Sequence, residues 1–217
     1  MSNDRSSKGT KPVQGNGLLT KKEALLTGIA KLFYEQGYEK TSIRDLARSL
    51  GVPNSAFYYY FKTKQEMLFT IIDNLMENVV VTLHQHIEPI HDPEGRLLAL
   101  IEDHINSFVS HRYESKVLIY EEGCLRGEYR KIIKKKERVY FTFVRNTIAE
   151  IIKSSKNAID VNVATFALFG TLNWIYKWYN PDDKIKPSDL SKHIFSIILS
   201  GLKGDSFTKA AVKKPND

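Results

Sequence analysis

The side chains best suited to chemistry are concentrated in residues 41–61, which read TSIRDLARSLGVPNSAFYYYF. Arg44 carries a planar fork of donors that matches a guanine edge or a phosphate, and Asn54 can pair in bidentate fashion with adenine. Thr41 and Ser42 offer hydroxyls, and the N–H groups of a helix start, to an anion. Tyr58, Tyr59 and Tyr60 each present apolar ring area that suits sugars and thymine methyls, tipped by a hydroxyl that can donate to phosphate. Lys64 adds a cation just beyond. All of these are hydrogen-bonding or charge-pairing groups, and none forms a nucleophile–base couple. The chemistry on offer is recognition of a polyanion.

The rest of the chain offers little for catalysis. His84, His86, His91, His104, His111 and His193 are not spaced with Cys or carboxylates as a zinc site requires, and His84 and His86 point to different faces of one helix. No H-E-x-x-H, G-x-S-x-G or phosphate-loop pattern occurs. Cys124, beside Glu121 and Glu122, lacks the cationic surroundings that activate a thiol. No enzyme, metal or cofactor is expected.

The elements that must position the 41–61 stretch are helices. Leu25, Ile29, Leu32 and Phe33 recur at helical spacing before a stop at Gly37. Thr41 or Ser42 can cap a second helix that ends near Gly51, and a short third helix carries Ala56 to Tyr60. Thr63 and Glu66 predict a capping box before a long fourth helix bearing Met67, Leu68, Ile71, Ile72, Leu75 and Val79 on one face. Five more follow: from Pro93 to about His111, Glu114 to Leu125, Glu128 to Ser154, Val161 to Tyr179, and one carrying Leu190, Ile194, Ile197, Ile198 and Leu202. No alternating strand pattern appears, so the fold class is all-α. Ala47, Gly51 and Phe57 have helix-turn-helix spacing, with Leu46, Leu50, Val52 and Phe57 pinning one helix on the other. A plain helical corner shows the same spacing. The helix-turn-helix reading puts Asn54, Ser55 and Ala56, which open its second helix, against base edges in the major groove.

Charge favours that reading. Residues 1–64 hold 11 Lys/Arg and 5 Asp/Glu, the remainder 21 and 20, so the formal +7 divides into +6 and +1. The expected division is a polar, disordered tail over 1–17, a helix-turn-helix unit over 18–63, a larger helical bundle over 64–203 and a polar C-terminal tail over 204–217. The N-terminus lacks an apolar signal region, no apolar run is long enough to span a membrane, and one cysteine permits no disulfide within the chain. A cytoplasmic setting is expected.

The run T-S-I-R-D-L-A-x-x-L-G-V-x-x-S-A-F-Y-Y-Y-F-K-x-K-x-x-M-L, with G-Y just upstream, resembles the DNA-binding signature of TetR-family transcriptional regulators and covers residues 20 to 68. The resemblance implies a DNA-binding, ligand-responsive repressor with a more variable C-terminal helical domain. It makes Tyr59 and Tyr60 phosphate ligands and leaves Tyr58 to reach bases or support the helix. Pro53 and Ser55 depart from the family, which usually has Ser at the first position and often Gly at the second. Both lie where bases are read.

A second unusual segment, FALFGTLNWIYKWYNP (166–181), puts aromatic rings around most of one helix. Such a helix is buried on most sides, against an internal cavity, a second subunit, or both. The family resemblance implies pairing through the last two helices, which assigns Ile194, Ile197, Ile198 and Leu202 to a homodimer interface. The pattern from Gly170 to Pro181 resembles the family subset that responds to acyl-coenzyme A thioesters. That resemblance implies an apolar tunnel lined by Leu100, Ile101, Phe108, Phe166, Phe169 and Trp174, with Asn173 and Trp178 nearby. Coenzyme A phosphates would then meet the basic run that includes Arg130. Planar drugs suit the same aromatic lining, and a helical lipid-binding protein without DNA function is the rival from another class.

Overall fold

A computed structural model of the chain describes residues 15–155 and 159–204. Its α-helices are α1 (Gly15–Gln36), α2 (Ile43–Leu50), α3 (Asn54–Tyr60), α4 (Lys64–Thr82), α5 (Pro93–Ser110), α6 (Arg112–Glu121), α7 (Gly127–Lys153), α8 (Val161–Trp178) and α9 (Pro187–Lys203). No strand occurs among the described residues. The all-α expectation is met. The expected N-terminal tail overlaps α1 at residues 15–17; residues 1–14 and the tail beyond Gly204 lie outside the described residues.

Local chemistry explains most helix limits. Ser42, not Thr41, caps α2: its hydroxyl accepts from Asp45 N–H at 3.2 Å, and Asp45 Oδ2 accepts from Ser42 N–H at 3.0 Å. Gly51 ends α2 at φ 65, a left-handed conformation that a side chain would strain. Thr63 caps α4 by accepting from Glu66 N–H at 3.0 Å, whereas Glu66 reaches past it to Lys62 N–H at 2.6 Å. Asp92 and Asp160 cap α5 and α8. One feature without a sequence signal is a π-helical turn over Leu83–Ile87 that extends α4. It brings Leu83 and Ile87, four residues apart, both into the core.

Two hydrophobic cores form, and α4 contributes to both. The first gathers Ile29 and Phe33 of α1, Leu46, Phe57, Phe61 and the start of α4, together with Val117, Leu125 and Ile133 from the region of α6 and α7. The second joins Leu83, the inner faces of α5 and α7, and α8 and α9. α1–α3 therefore do not pack alone: the C-terminal helices complete their core. Gly28 permits a close crossing of α1 over α2, since a Cβ there would meet Leu50 Cδ2 at 2.7 Å.

Candidate nucleic-acid interface and apolar cavity

α3 divides its aromatic residues between two environments. Phe57 and Phe61 are buried, whereas Tyr58 and Tyr59 are 59% and 70% exposed and Tyr60 is half-buried. Burial of Phe57 contributes about 1.5–3 kcal/mol and fixes which face of the short helix turns outward. The Tyr59 and Tyr60 rings meet edge-on, 4.8 Å between centroids. Asn54 and Ser55 are exposed, and Pro53 precedes them with no side-chain cap to α3. Neither side chain is drawn into capping, as the departure at Pro53 could have required. Ala56 is half-buried beside them, and Arg44 and Ser42 are exposed on the preceding helix.

Two expected ligands of that surface are engaged inside the chain. Thr41 is buried and its hydroxyl donates to the Gly37 carbonyl at 2.8 Å. Lys64 Nζ donates to the Tyr38 and Thr41 carbonyls at 2.9 and 3.1 Å and lies 4.3 Å from the Tyr38 ring centroid. It ties the turn before α2 to the start of α4, so its ammonium is not free for a phosphate.

The C-terminal helices form a largely apolar cavity, open at one side, between α4, α5, α6, α7 and α8. Its main part has a volume of about 410 Å³ and is lined by Met76, Val79, Leu118, Tyr140, Phe166 and Phe169 among others, with His104, Asn173, Glu122 and Glu137 as polar groups. That is within the range of small-molecule sites. A contiguous part reaches Leu75, Phe108, Ser115 and Tyr176. Phe141 stacks on Phe169 at 5.8 Å, an interplanar angle of 15°, and lies 5.3 Å from Phe166. The His104 ring is surrounded by the cavity wall, so its desolvation lowers its pKa to about 4; a hydrogen bond with Asn173 only partly offsets this. His104 is therefore neutral at pH 7. Burial, then the nearby Asp103, holds the Tyr140 phenol well above its ordinary value and keeps its hydroxyl protonated.

Several expected cavity residues lie elsewhere. Leu100 and Ile101 are packed in the second core and do not reach the cavity wall, because α5 turns that face toward the core. Arg130 is exposed at the start of α7, away from the cavity. Its neighbours Lys131 and Lys134 pair with Glu128 at 3.1 Å and Glu137 at 2.7 Å, so two cations of the basic run are met by carboxylates of their own helix. Trp174 and Trp178 are exposed and line an open hollow with Ile194 and the 72%-exposed Ile197, between α8 and α9. Leu202 is buried within its own chain, Ile194 nearly so, and Ile198 is half-buried, so Ile197 is the outward member of the expected set.

A polar groove was missed entirely. Tyr34 of α1, Arg112, Lys116, Tyr120 and Glu121 of α6, and Tyr176 and Lys177 of α8 line a cleft of about 650 Å³. No sequence motif announces it, because Arg112 and Lys177 are distant in the chain and meet only in the fold.

Comparison with known proteins decides the family. Residues 25–71 match the family described as "Bacterial regulatory proteins, tetR family", and residues 91–202 the "Tetracyclin repressor-like, C-terminal domain". The chain belongs to the TetR family. This TetR-family protein is a transcriptional regulator and not an enzyme. It is 22% identical over 181 residues to the fatty acid metabolism regulator protein of Bacillus subtilis (strain 168), covering 82% of this chain and 93% of that one. It is 21% identical over 193 residues to the HTH-type transcriptional repressor KstR2 of Mycolicibacterium smegmatis, covering 84% and 91%. Its fold matches that of AibR, solved in complex with isovaleryl coenzyme A and operator DNA, with a TM-score of 0.69 and 24% identity, covering 83% of this chain and 97% of that one. No described helix of this regulator is long and apolar enough to cross a membrane.

Proposed function

We propose that this regulator is a homodimeric, cytoplasmic repressor that leaves its operator when a coenzyme A thioester of an apolar acid fills the cavity. Residues 18–63 read DNA in this view, and residues 64–203 bind the effector and pair the subunits. The observation that carries the reading is the composition of the cavity wall. Leu75, Met76 and Val79 come from α4, whose other end starts just after the DNA-reading helix. A ligand that displaces α4 also moves α3.

Other observations support the parts. Exposed Tyr58 and Tyr59 beside Arg44, Asn54 and Ser55 suit a groove and its phosphates. The apolar hollow around Trp174, Trp178 and Ile197 suits a subunit interface. Two recognition helices must reach half-sites ~34 Å apart or a multiple of it, so a shift of a few ångströms breaks simultaneous docking. His104 and Asn173 can hydrogen-bond a thioester carbonyl beside the apolar part of the wall formed by Met76, Val79, Phe166 and Phe169. The named roles of the fatty acid regulator, and the ligand of AibR, are of the same chemical kind.

The test is a DNA shift assay on fragments of the regulator's own promoter region, repeated with a panel of acyl-coenzyme A thioesters. Release of DNA together with a change in tryptophan fluorescence is expected. Release by planar drugs and not by thioesters would replace this effector with a drug. A protein that binds lipid but no promoter fragment would defeat the repressor reading.

A further inference from the structure

Lys116 is the most unusual charged residue of the fold. It is only 4% exposed, yet no carboxylate lies within ion-pairing distance of it among the described residues. Lysines are almost never buried to this degree without a partner, because removing an ammonium from water is costly. Its Nζ is stabilised by ring faces alone, 4.0 Å from the centroid of Tyr34 and 5.7 Å from that of Tyr176.

The surroundings of Lys116 add charge of the same sign. Arg112 lies one helical turn away on α6, and Lys177 of α8 lines the same groove. Lys177 sits 5.3 Å from the Tyr176 centroid and 5.7 Å from that of Tyr120. The Tyr120 and Tyr176 hydroxyls bond to each other at the rim. The one carboxylate, Glu121, accepts a hydrogen bond from the Tyr38 N–H at 3.1 Å and does not pair with Lys116. The lining thus holds three cations and one anion, a net charge of two positive, and the Tyr120–Tyr176 pair keeps one hydroxyl proton free to donate.

We propose that Arg112, Lys116 and Lys177, with Tyr120 and Tyr176, form a phosphate-binding subsite for the pyrophosphate of a coenzyme A-linked effector whose acyl part occupies the apolar cavity. The proposal rests on the effector reading above and names the cations that serve it. Tyr176 lines both spaces, which makes the groove and the cavity neighbours. A pyrophosphate diester carries two negative charges and several acceptor oxygens, matching the net charge and the donors. A single carboxylate would satisfy one cation and leave a groove of about 650 Å³ largely unfilled. The location has a consequence for regulation. Tyr34 belongs to α1, and Glu121 holds the turn that leads to α2, so a bound phosphate would lie directly against the DNA-reading unit.

The test compares decanoyl-coenzyme A, free decanoate and pyrophosphate by calorimetry and Trp174 fluorescence. The proteins are the full chain, Lys116→Gln, and the double variant Arg112→Gln/Lys177→Gln. The double variant changes exposed residues only and keeps the test valid if Lys116→Gln does not fold. Both variants should bind decanoyl-coenzyme A roughly tenfold or more weakly while holding decanoate as the unaltered chain does, and pyrophosphate should compete with decanoyl-coenzyme A in the unaltered chain. Unchanged binding of decanoyl-coenzyme A by the variants overturns the subsite and leaves the effector reading standing. Parallel loss of decanoate also overturns it, since the groove would then hold a carboxylate. If the unaltered chain ignores decanoyl-coenzyme A, the effector reading fails and pyrophosphate alone decides the subsite: binding that the variants lose supports it, and no binding overturns it.

Discussion

The backbone N–H of Tyr38 donates to Glu121 Oε1 at 3.1 Å, across 83 residues of sequence. Tyr38 lies in the turn before α2, and Glu121 is the last residue of α6. The same turn is held from the other side by Lys64 Nζ, 2.9 Å from the Tyr38 carbonyl. One peptide segment is thus clamped between the start of α4 and the end of α6. The turn that leads into the helix-turn-helix is therefore in direct contact with both helices.

Glu121→Ala should therefore cost about 1–3 kcal/mol of stability, the usual range for a hydrogen bond to a charged acceptor. Glu121→Gln keeps a carbonyl acceptor and should cost less. Urea denaturation of both variants checks the order; equal costs would mean that the charge matters and the hydrogen bond does not.

On the DNA-facing side, Arg44→Ala should weaken operator binding by about 1–3 kcal/mol if Arg44 reads a guanine. If it holds a phosphate instead, the loss should be uniform across sequences and the salt slope should fall by about one. Tyr59→Phe removes only the hydroxyl and should cost about 0.5–1.5 kcal/mol of binding. Both residues are exposed, so melting temperatures should stay within error. Phe57→Ala is the contrasting case: it should lose about 3–5 kcal/mol of stability and DNA binding with it.

His104 sets a pH dependence. Its folded pKa of about 4 lies below an unfolded value near 6.5, so the unfolded chain binds the extra proton first. The neutral ring's contribution to stability is complete above the unfolded value. It declines as pH falls through the window between the two, by about 3 kcal/mol at the lower end. Asp103, whose pKa burial raises despite His86, acts with the opposite sign: it favours the fold at low pH and loses that effect as pH rises. The difference between the unaltered chain and His104→Gln isolates the histidine. Identical stability-against-pH curves for the two would refute the assignment.

Ile197→Asp places a charge in the exposed hollow between α8 and α9 and should convert a dimer to monomer without unfolding the chain. Sedimentation and circular dichroism report the two properties separately. Leu202→Asp should unfold the protein instead, because that side chain is buried in its own core.

The helices, and which side chains of α3 turn outward, were legible in the sequence because both are governed by near neighbours. Apolar spacing sets the helix faces, Gly51 sets the turn, and Phe57 with Phe61 decides which tyrosines turn outward. Lys64 and Thr41 were misread for the complementary reason. A lysine or a hydroxyl at a helix start looks available until the fold brings the Tyr38 and Gly37 carbonyls to it.

The cavity and the polar groove depended on tertiary structure almost throughout. Helical periodicity marks Leu100, Leu202 and Phe166 alike as apolar, but packing sends the first two into the core and leaves Phe166 on the cavity wall. A run of lysines on α7 is conspicuous in sequence, yet it does not line the cavity and two of its members pair with Glu128 and Glu137 on the same helix. The three cations that remain together, Arg112, Lys116 and Lys177, come from two helices and share no local pattern. Short-range rules determine what each helix is and where it stops. Which side chains converge, and which charges stay unpaired, is fixed only when distant helices pack and exclude water between them.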